Sequence, residues 1–313
     1  MEKSFLADAH PARQLIFTAL IVLGSWIVFQ VTGMVSGKFI FGLSFDEMLH
    51  SLESYNDPRI LGFLKYVQAF TSAGMFIFAA LASAWFIHAD WKSFLGLNEI
   101  AGWQINMLGI LFILVILPFT NLLTYLNANL GLPEFMSGVE NFFHEKENQM
   151  NRIMESFLKP RGTGGLFFNL VVIAVIPAFG EELLFRGIIQ KLLNRWFGHA
   201  HWAIIATAFL FSAMHIQFLS FLPRFFLGLI LGYLFYWSGS IWLTILVHFV
   251  NNAVATIFYF YFYGGYIGDY LEKTGTPEKG IALAFLSALA GFALLYLIYR
   301  KYVFKKEFNR FPY

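Results

Sequence analysis

The sequence predicts an all-α protein: a polytopic membrane bundle of about eight transmembrane helices with one interfacial amphipathic helix. Three observations carry this expectation. Of the 313 residues, 58% are hydrophobic and 19% aromatic, and only 13% are charged, about half the charge of an ordinary soluble domain. The apolar residues fall into continuous runs of about 20, the length of a bilayer-crossing helix. The runs do not alternate in the short period of barrel strands. One polar segment between them instead repeats apolar residues at three-to-four-residue spacing, the period of a helix with one oily face.

The runs lie near 14–34, 62–87, 103–128, 166–190, 202–218, 221–238, 241–262 and 281–302. The first follows a polar start with Lys3 and Arg13. With no A-x-A cleavage site after it, it reads as a retained span rather than a signal peptide. The fifth and sixth are short and nearly fused, with a break expected at Pro223 and Arg224. Between the third and fourth, Val139, Phe142, Phe143, Met150, Ile153, Met154 and Phe157 form the amphipathic pattern. This helix is expected to lie along the membrane interface as a connector, or as a lid beside a site. The organisation is therefore 1–133 as N-terminal spans, 134–161 as the connecting segment, 162–262 as a core of about four spans, and 263–313 as the last span with a basic tail. Tyr259 to Tyr263 reads as an aromatic interface anchor.

Basic residues next to the spans set orientation. Arg300, Lys301, Lys305, Lys306 and Arg310 place the C-terminus in the cytoplasm. An even number of spans brings Lys3 and Arg13 to the same side, together with Lys191 and Arg195. The bias is imperfect, since the 134–161 loop holds Lys146, Arg152, Lys159 and Arg161. The expected location is a plasma (inner) membrane with both termini cytoplasmic. A net charge of +2 without a basic stripe argues against nucleic acid as a partner. The absence of cysteine removes disulfides, Cys-ligated zinc, iron–sulfur clusters and thiol nucleophiles.

Within the fourth run stands P-A-F-G-E-E-L-L-F-R-G, Pro177 to Gly187. Charges at mid-span cost about 2.5–3.5 kcal/mol each on insertion scales, so they face protein or a wet cavity. Glu182 and Arg186 are four apart and share a helical face in the acid-first order, so they are expected to neutralise each other. Glu181 lies about 100° around the axis and is left for chemistry. An unpaired, buried carboxylate is the group that general-base catalysis uses near neutral pH. Gly180 and Gly187 allow a neighbouring helix to come close. Later runs bring His215, four residues after Phe211, and His248, four before Asn252. Counted from the cytoplasmic side, Glu181, His215 and His248 lie about 15, 21 and 10 Å deep at 1.5 Å per residue, near enough to meet at one level. Each of these groups also has a bland reading. The charged triplet could anchor a helix end, and a lone membrane histidine is more often a hydrogen-bonded packing residue.

Together the set suits hydrolysis of an amide. Glu181 with a histidine deprotonates a water, and His248 and Asn252 donate to the oxyanion. Glu181, His215 and His248 also have the composition of a catalytic zinc triad, so a metal-free and a zinc mechanism both remain open. Other intramembrane chemistries fit worse. His144 to Asn148, H-E-K-E-N, lacks the second histidine of H-E-x-x-H. Gly265 to Asp269, G-Y-I-G-D, is one residue too long for G-x-G-D, and no serine sits in a G-x-S-G setting.

E-E-x-x-x-R at Glu181 to Arg186, F-x-x-x-H at Phe211 to His215, and H-x-x-x-N at His248 to Asn252 resemble the CPBP intramembrane proteases. That family includes the type II CAAX prenyl endopeptidases and the bacteriocin-processing and immunity proteins. The resemblance covers roughly 166–255, with all three motifs intact and in order. It implies an endopeptidase acting on a membrane-associated protein or peptide. In that scheme Glu181 and His215 activate the water, His248 and Asn252 stabilise the oxyanion, and Glu182 and Arg186 support them. The family has also been described as metalloprotease, which keeps zinc open by resemblance. The other function class is a catalytically silent scaffold or immunity-type protein that keeps the fold and binds a partner. A transporter would use the same polar pocket for ions, but no inverted repeat is visible.

Overall fold

A computed structural model describes residues 4–54, 56–131, 133–159, 162–262 and 265–308, with side chains in the last helix described through Tyr302. Lys3, Arg161, Tyr263 and Arg310, used above for orientation and anchoring, lie outside the described residues, as do the side chains of Lys305 and Lys306.

Among the described residues, nine longer helices organise the fold: α1 (Pro11–Ile40), α2 (Pro58–Ile87), α3 (Trp103–Ala128), α4 (Ser137–Leu158), α5 (Gly162–Phe197), α6 (Ala200–Ala213), α7 (Phe221–Ser238), α8 (Ile241–Phe262) and α9 (Ile281–Phe308). Shorter helical turns fill the connections. Seven of the helices are long and apolar enough to cross a membrane, α7 being counted together with the turn Phe218–Ser220 that precedes it. α6, with 14 residues, is a shorter apolar helix and reaches only about 21 Å. The polytopic helical bundle expected from composition is present, and among the described residues no strand is formed.

Local chemistry sets the starts and stops. Asp57 caps the Arg59 N–H, and Pro58 opens α2 where a missing N–H costs nothing. Gly239 ends α7 with φ 70°, a left-handed turn that glycine takes without a Cβ clash. The chain then enters α8 directly. Both α2 and α5 carry π-helical turns, at Ala73–Phe78 in α2 and at Leu170–Val175 and Phe185–Ile189 in α5. Each π turn inserts a residue and rotates the following side chains around the axis.

The break between α6 and α7 differs from the sequence expectation. It falls at Met214 to Gln217, and Pro223 and Arg224 lie inside the first turns of α7. Proline fits there because the first-turn N–H groups have no intrahelical partner. His215 accordingly sits on the turn after α6 rather than within a span.

α3 packs along α9, α1 along α2, α6 along α7, and α5 against both α2 and α8. One buried cluster joins α2, α5, α6 and α8 through Phe76, Leu184, Ile188, Phe211 and Ile245. A second joins α3, α7, α8 and α9 through Phe112, Ile116, Leu231, Leu243 and Ile298. Gly180 explains how closely α5 approaches α2: a Cβ there would lie 2.6 Å from the Phe76 Cβ.

Candidate functional site

α5 carries the charged triplet into the bundle, with Glu181 and Glu182 on the regular stretch between its two π-helical turns and Arg186 within the second. Glu181 is 7% exposed, His248 3%, and Glu182 and Arg186 0%. Glu182 and Arg186 pair as their spacing predicts, Arg186 Nη1 donating to Glu182 Oε1 at 2.7 Å. Arg186 also donates to the Gly228 carbonyl of α7 at 3.2 Å and lies over the Phe211 ring, 4.7 Å from its centroid. One turn on, Gln190 repeats the pattern by donating to the Gly232 carbonyl at 3.0 Å. A polar seam thus runs between α5 and α7, and glycine on the α7 side leaves room for it.

The Glu182–Arg186 pair is not self-contained. His248 Nδ1 of α8 lies 2.9 Å from the same Glu182 Oε1, and its Nε2 lies 3.9 Å from Glu181 Oε2. A carboxylate only accepts, so Nδ1 carries the hydrogen and Nε2 is turned toward Glu181. Among the described residues Glu181 makes no hydrogen bond, its neighbour across the bundle being His248 Nε2. The contact from Glu182 to His248 was not visible in the sequence, because spacing along one helix says nothing about a partner 66 residues away.

His215 is oriented by its own motif. Its Nδ1 lies 2.9 Å from the Phe211 carbonyl, one of the orphan acceptors at the end of α6. Nδ1 donates, and the Nε2 lone pair is left free. The Phe211 ring touches both histidines edge-on, with centroids 5.4 Å from His215 and 5.9 Å from His248. Phe211 thereby joins the His215 turn to the α5–α8 cluster. Asn252, one turn beyond His248, donates to the Ile173 carbonyl at 3.2 Å, in the π turn of α5. The structure therefore brings Glu181, Glu182, Arg186, Phe211 and His248 into one cluster, and sets His215 and Asn252 at its edges.

The zinc alternative does not assemble. Among the described residues no three His, Cys, Asp or Glu side chains are grouped to hold a metal ion. His248 holds Nδ1 on Glu182 and Nε2 3.9 Å from Glu181 Oε2, and among the described residues no third such side chain completes a ligand set with them. The described residues therefore do not fit a zinc centre.

Sequence reasoning also missed how the His215 turn is held. A non-helical break at membrane depth must have its backbone groups satisfied by protein. Asn127 at the end of α3 does so twice, donating to the Phe218 carbonyl at 2.8 Å and accepting from Leu222 N–H at 2.6 Å. Glu147 of α4, 4% exposed, accepts from Leu219 N–H at 2.9 Å and from the Ser220 hydroxyl at 3.1 Å. Ser212 donates to the Phe221 carbonyl at 2.7 Å. Ile216, next to His215, has φ 52°, a conformation that costs a non-glycine residue about 1–2 kcal/mol. The other end of α4 is held by Lys65, buried in α2, whose Nζ donates to the Phe157 carbonyl at 2.6 Å and to Asn169 Oδ1 at 2.7 Å. The signal available beforehand was one acidic residue, Glu147, four positions past Phe143 on the amphipathic face.

Residues 163–254 match a family model described as type II CAAX prenyl endopeptidase Rce1-like. A protein of Bacillus subtilis (strain 168), described as uncharacterized protein YpbD, is 27% identical over 90 residues. That match spans 28% of this chain and 43% of the relative's length. No solved structure matches.

Proposed function

From the premise of an Rce1-like domain over residues 163–254, we propose that the protein is an intramembrane endopeptidase cleaving a membrane-associated protein or peptide. The observation that carries the reading is the free carboxylate of Glu181, buried and facing His248 Nε2 across 3.9 Å, while the adjacent carboxylate is committed to Arg186 and His248. A water between Glu181 and the substrate carbonyl gives its proton to Glu181 as its oxygen attacks. Glu181 then passes that proton to the leaving amine, so the cleavage balances. His215, with its Nε2 lone pair free, serves as the second acceptor for the water's hydrogens.

The oxyanion is met by Asn252, which has a second amide hydrogen to give, and by His248. With Nδ1 on Glu182, His248 donates from Nε2 only as the imidazolium. The two carboxylates, Arg186 and that ring then sum to zero charge. Glu182, Arg186 and Phe211 orient His248 and do not touch substrate. The basic flank of the last span supports an inner-membrane location with the C-terminus cytoplasmic, and the N-terminus joins it on that side where α6 crosses as an eighth span beside the seven long ones.

The test uses purified protein in liposomes with lipid-anchored peptides, cleavage being read by mass spectrometry. Glu181→Gln should lower turnover by about 10²–10⁴-fold while leaving the melting temperature in place. Undiminished cleavage would overturn the assignment. A function that survives in a cleavage-dead variant would favour the scaffold reading.

A further inference from the structure

Arg224 has no place in the chemistry above. It lies in the first turns of α7, nine residues after His215 and beyond the stapled break. Its Nη2 donates to Gln217 Oε1, a neutral acceptor. Its Nη1 is buried and has no hydrogen-bond partner. Arg186, the other arginine of this region, has the Glu182 carboxylate at 2.7 Å. No carboxylate is bonded to Arg224 among the described residues. The nearby acid of α4, Glu147, has both oxygens taken by Leu219 and Ser220. The Arg224 charge nevertheless acts on Glu147, on Glu181 and on His215, so it belongs to the electrostatic surroundings of the proposed site.

A guanidinium in this setting has carboxylates nearby but, among the described residues, none bonded to it. A charged donor buried without an anionic partner costs more than a neutral one, and the planar fork matches a carboxylate with two parallel N–H bonds. Gln217 holds one side of the fork in place, and the hydrogens of Nη1 stay unbonded. We infer that Arg224 is an anion anchor that binds a carboxylate of the peptide substrate, either its C-terminus or an acidic side chain. Seated there, the carboxylate neutralises Arg224 and fixes the peptide's register relative to Glu181. The inference rests on the peptidase reading for its substrate class, but binding at Arg224 can be measured without cleavage.

The probes are fluorescent lipid-anchored peptides in three matched forms: free C-terminal acid, C-terminal amide, and free acid with every internal Asp and Glu changed to Asn and Gln. Binding is measured to wild-type protein and to Glu181→Gln, Arg224→Gln and Arg224→Lys variants in liposomes. Wild type and Glu181→Gln should bind one carboxylate form about tenfold or more tighter than its neutral counterpart, as expected for a hydrogen bond to a charged group. Loss on amidation identifies the C-terminus, and loss on internal neutralisation identifies a side chain. Arg224→Gln should abolish the preference, and Arg224→Lys should keep part of it. Equal binding of all three forms to wild type overturns the anchor, as does a preference that survives Arg224→Gln. Carboxylate-dependent binding by wild type without cleavage would retain the anchor and reject the peptidase reading. Where Arg224→Gln does not fold, the wild-type comparison together with Arg224→Lys still decides, because a preference unchanged by Lys would place the anion elsewhere.

Discussion

Removing Arg186 should destabilise the bundle far more than removing the whole ion pair. Arg186 is fully buried, bonds Glu182 at 2.7 Å, donates to Gly228 and stacks on Phe211. Arg186→Met leaves the Glu182 carboxylate buried with only His248 beside it. Breaking one side of a buried pair costs about 3–5 kcal/mol, whereas replacing both sides by apolar groups of similar volume is often neutral. The double variant Glu182→Leu, Arg186→Met is not quite neutral here, because His248 Nδ1 loses its acceptor, at about 1–3 kcal/mol. The expected order is therefore a loss of about 3–5 kcal/mol for Arg186→Met and about 1–3 for the double. Unfolding equilibria in mixed micelles, with helicity as the signal, measure both. A single variant within about 1 kcal/mol of wild type, or a double variant worse than the single, would refute the account of Glu182 as a carboxylate shared between Arg186 and His248. The double variant should also lose cleavage, since His248 Nδ1 no longer has the acceptor that orients it.

Other consequences are accessible to simpler measurements. Asn127→Ala leaves the Phe218 carbonyl and Leu222 N–H without their partners; at about 1–3 kcal/mol per unsatisfied group, the melting temperature should fall and hydrogen exchange should rise across residues 214–222. Gly180→Ala drives a Cβ to 2.6 Å from Phe76 Cβ, which should cost about 1–3 kcal/mol in unfolding experiments; no loss would mean α5 and α2 are not in close contact. The loop before α2 should respond to acid. Backbone N–H donation from Ser44 holds the Glu47 carboxyl below the usual carboxylate range, and donation from Arg59 does the same for Asp57. Carboxyls depressed in the folded state stabilise it above their unfolded value of about 4 and lose that contribution as pH falls through the folded values. Amide protection at Ser44 and Arg59, the donors to these two carboxylates, should therefore decline below about pH 4, after correction for intrinsic exchange.

Much of this architecture was legible because a bilayer imposes coarse rules. Continuous apolar runs announced α1, α3, α8 and α9 nearly to their ends, and the three-to-four period of Val139 to Phe157 announced α4. The Glu182–Arg186 pair followed from helical spacing alone, with its partner only four residues away. The failures share a cause. The α6–α7 break was assigned to Pro223, the local breaker, yet the chain turns at Met214 to Gln217, where Asn127 and Glu147 from other helices satisfy its backbone. His248 was assigned to the oxyanion without its tie to Glu182, and the zinc triad was kept open. Both depend on distances across helices that residue types do not encode. Arg224 was taken for a breaker's neighbour, although charge within an apolar run was the same signal that singled out Glu181.

The most direct measurement compares the protein termini of membranes from cells carrying wild-type protein with those from cells carrying Glu181→Gln at equal abundance. If the carboxylate beside His248 Nε2 drives hydrolysis, a defined set of new C-termini will be present with wild type and absent with the variant. Identical sets of termini in the two membranes would contradict the assignment of this buried cluster as a peptidase centre.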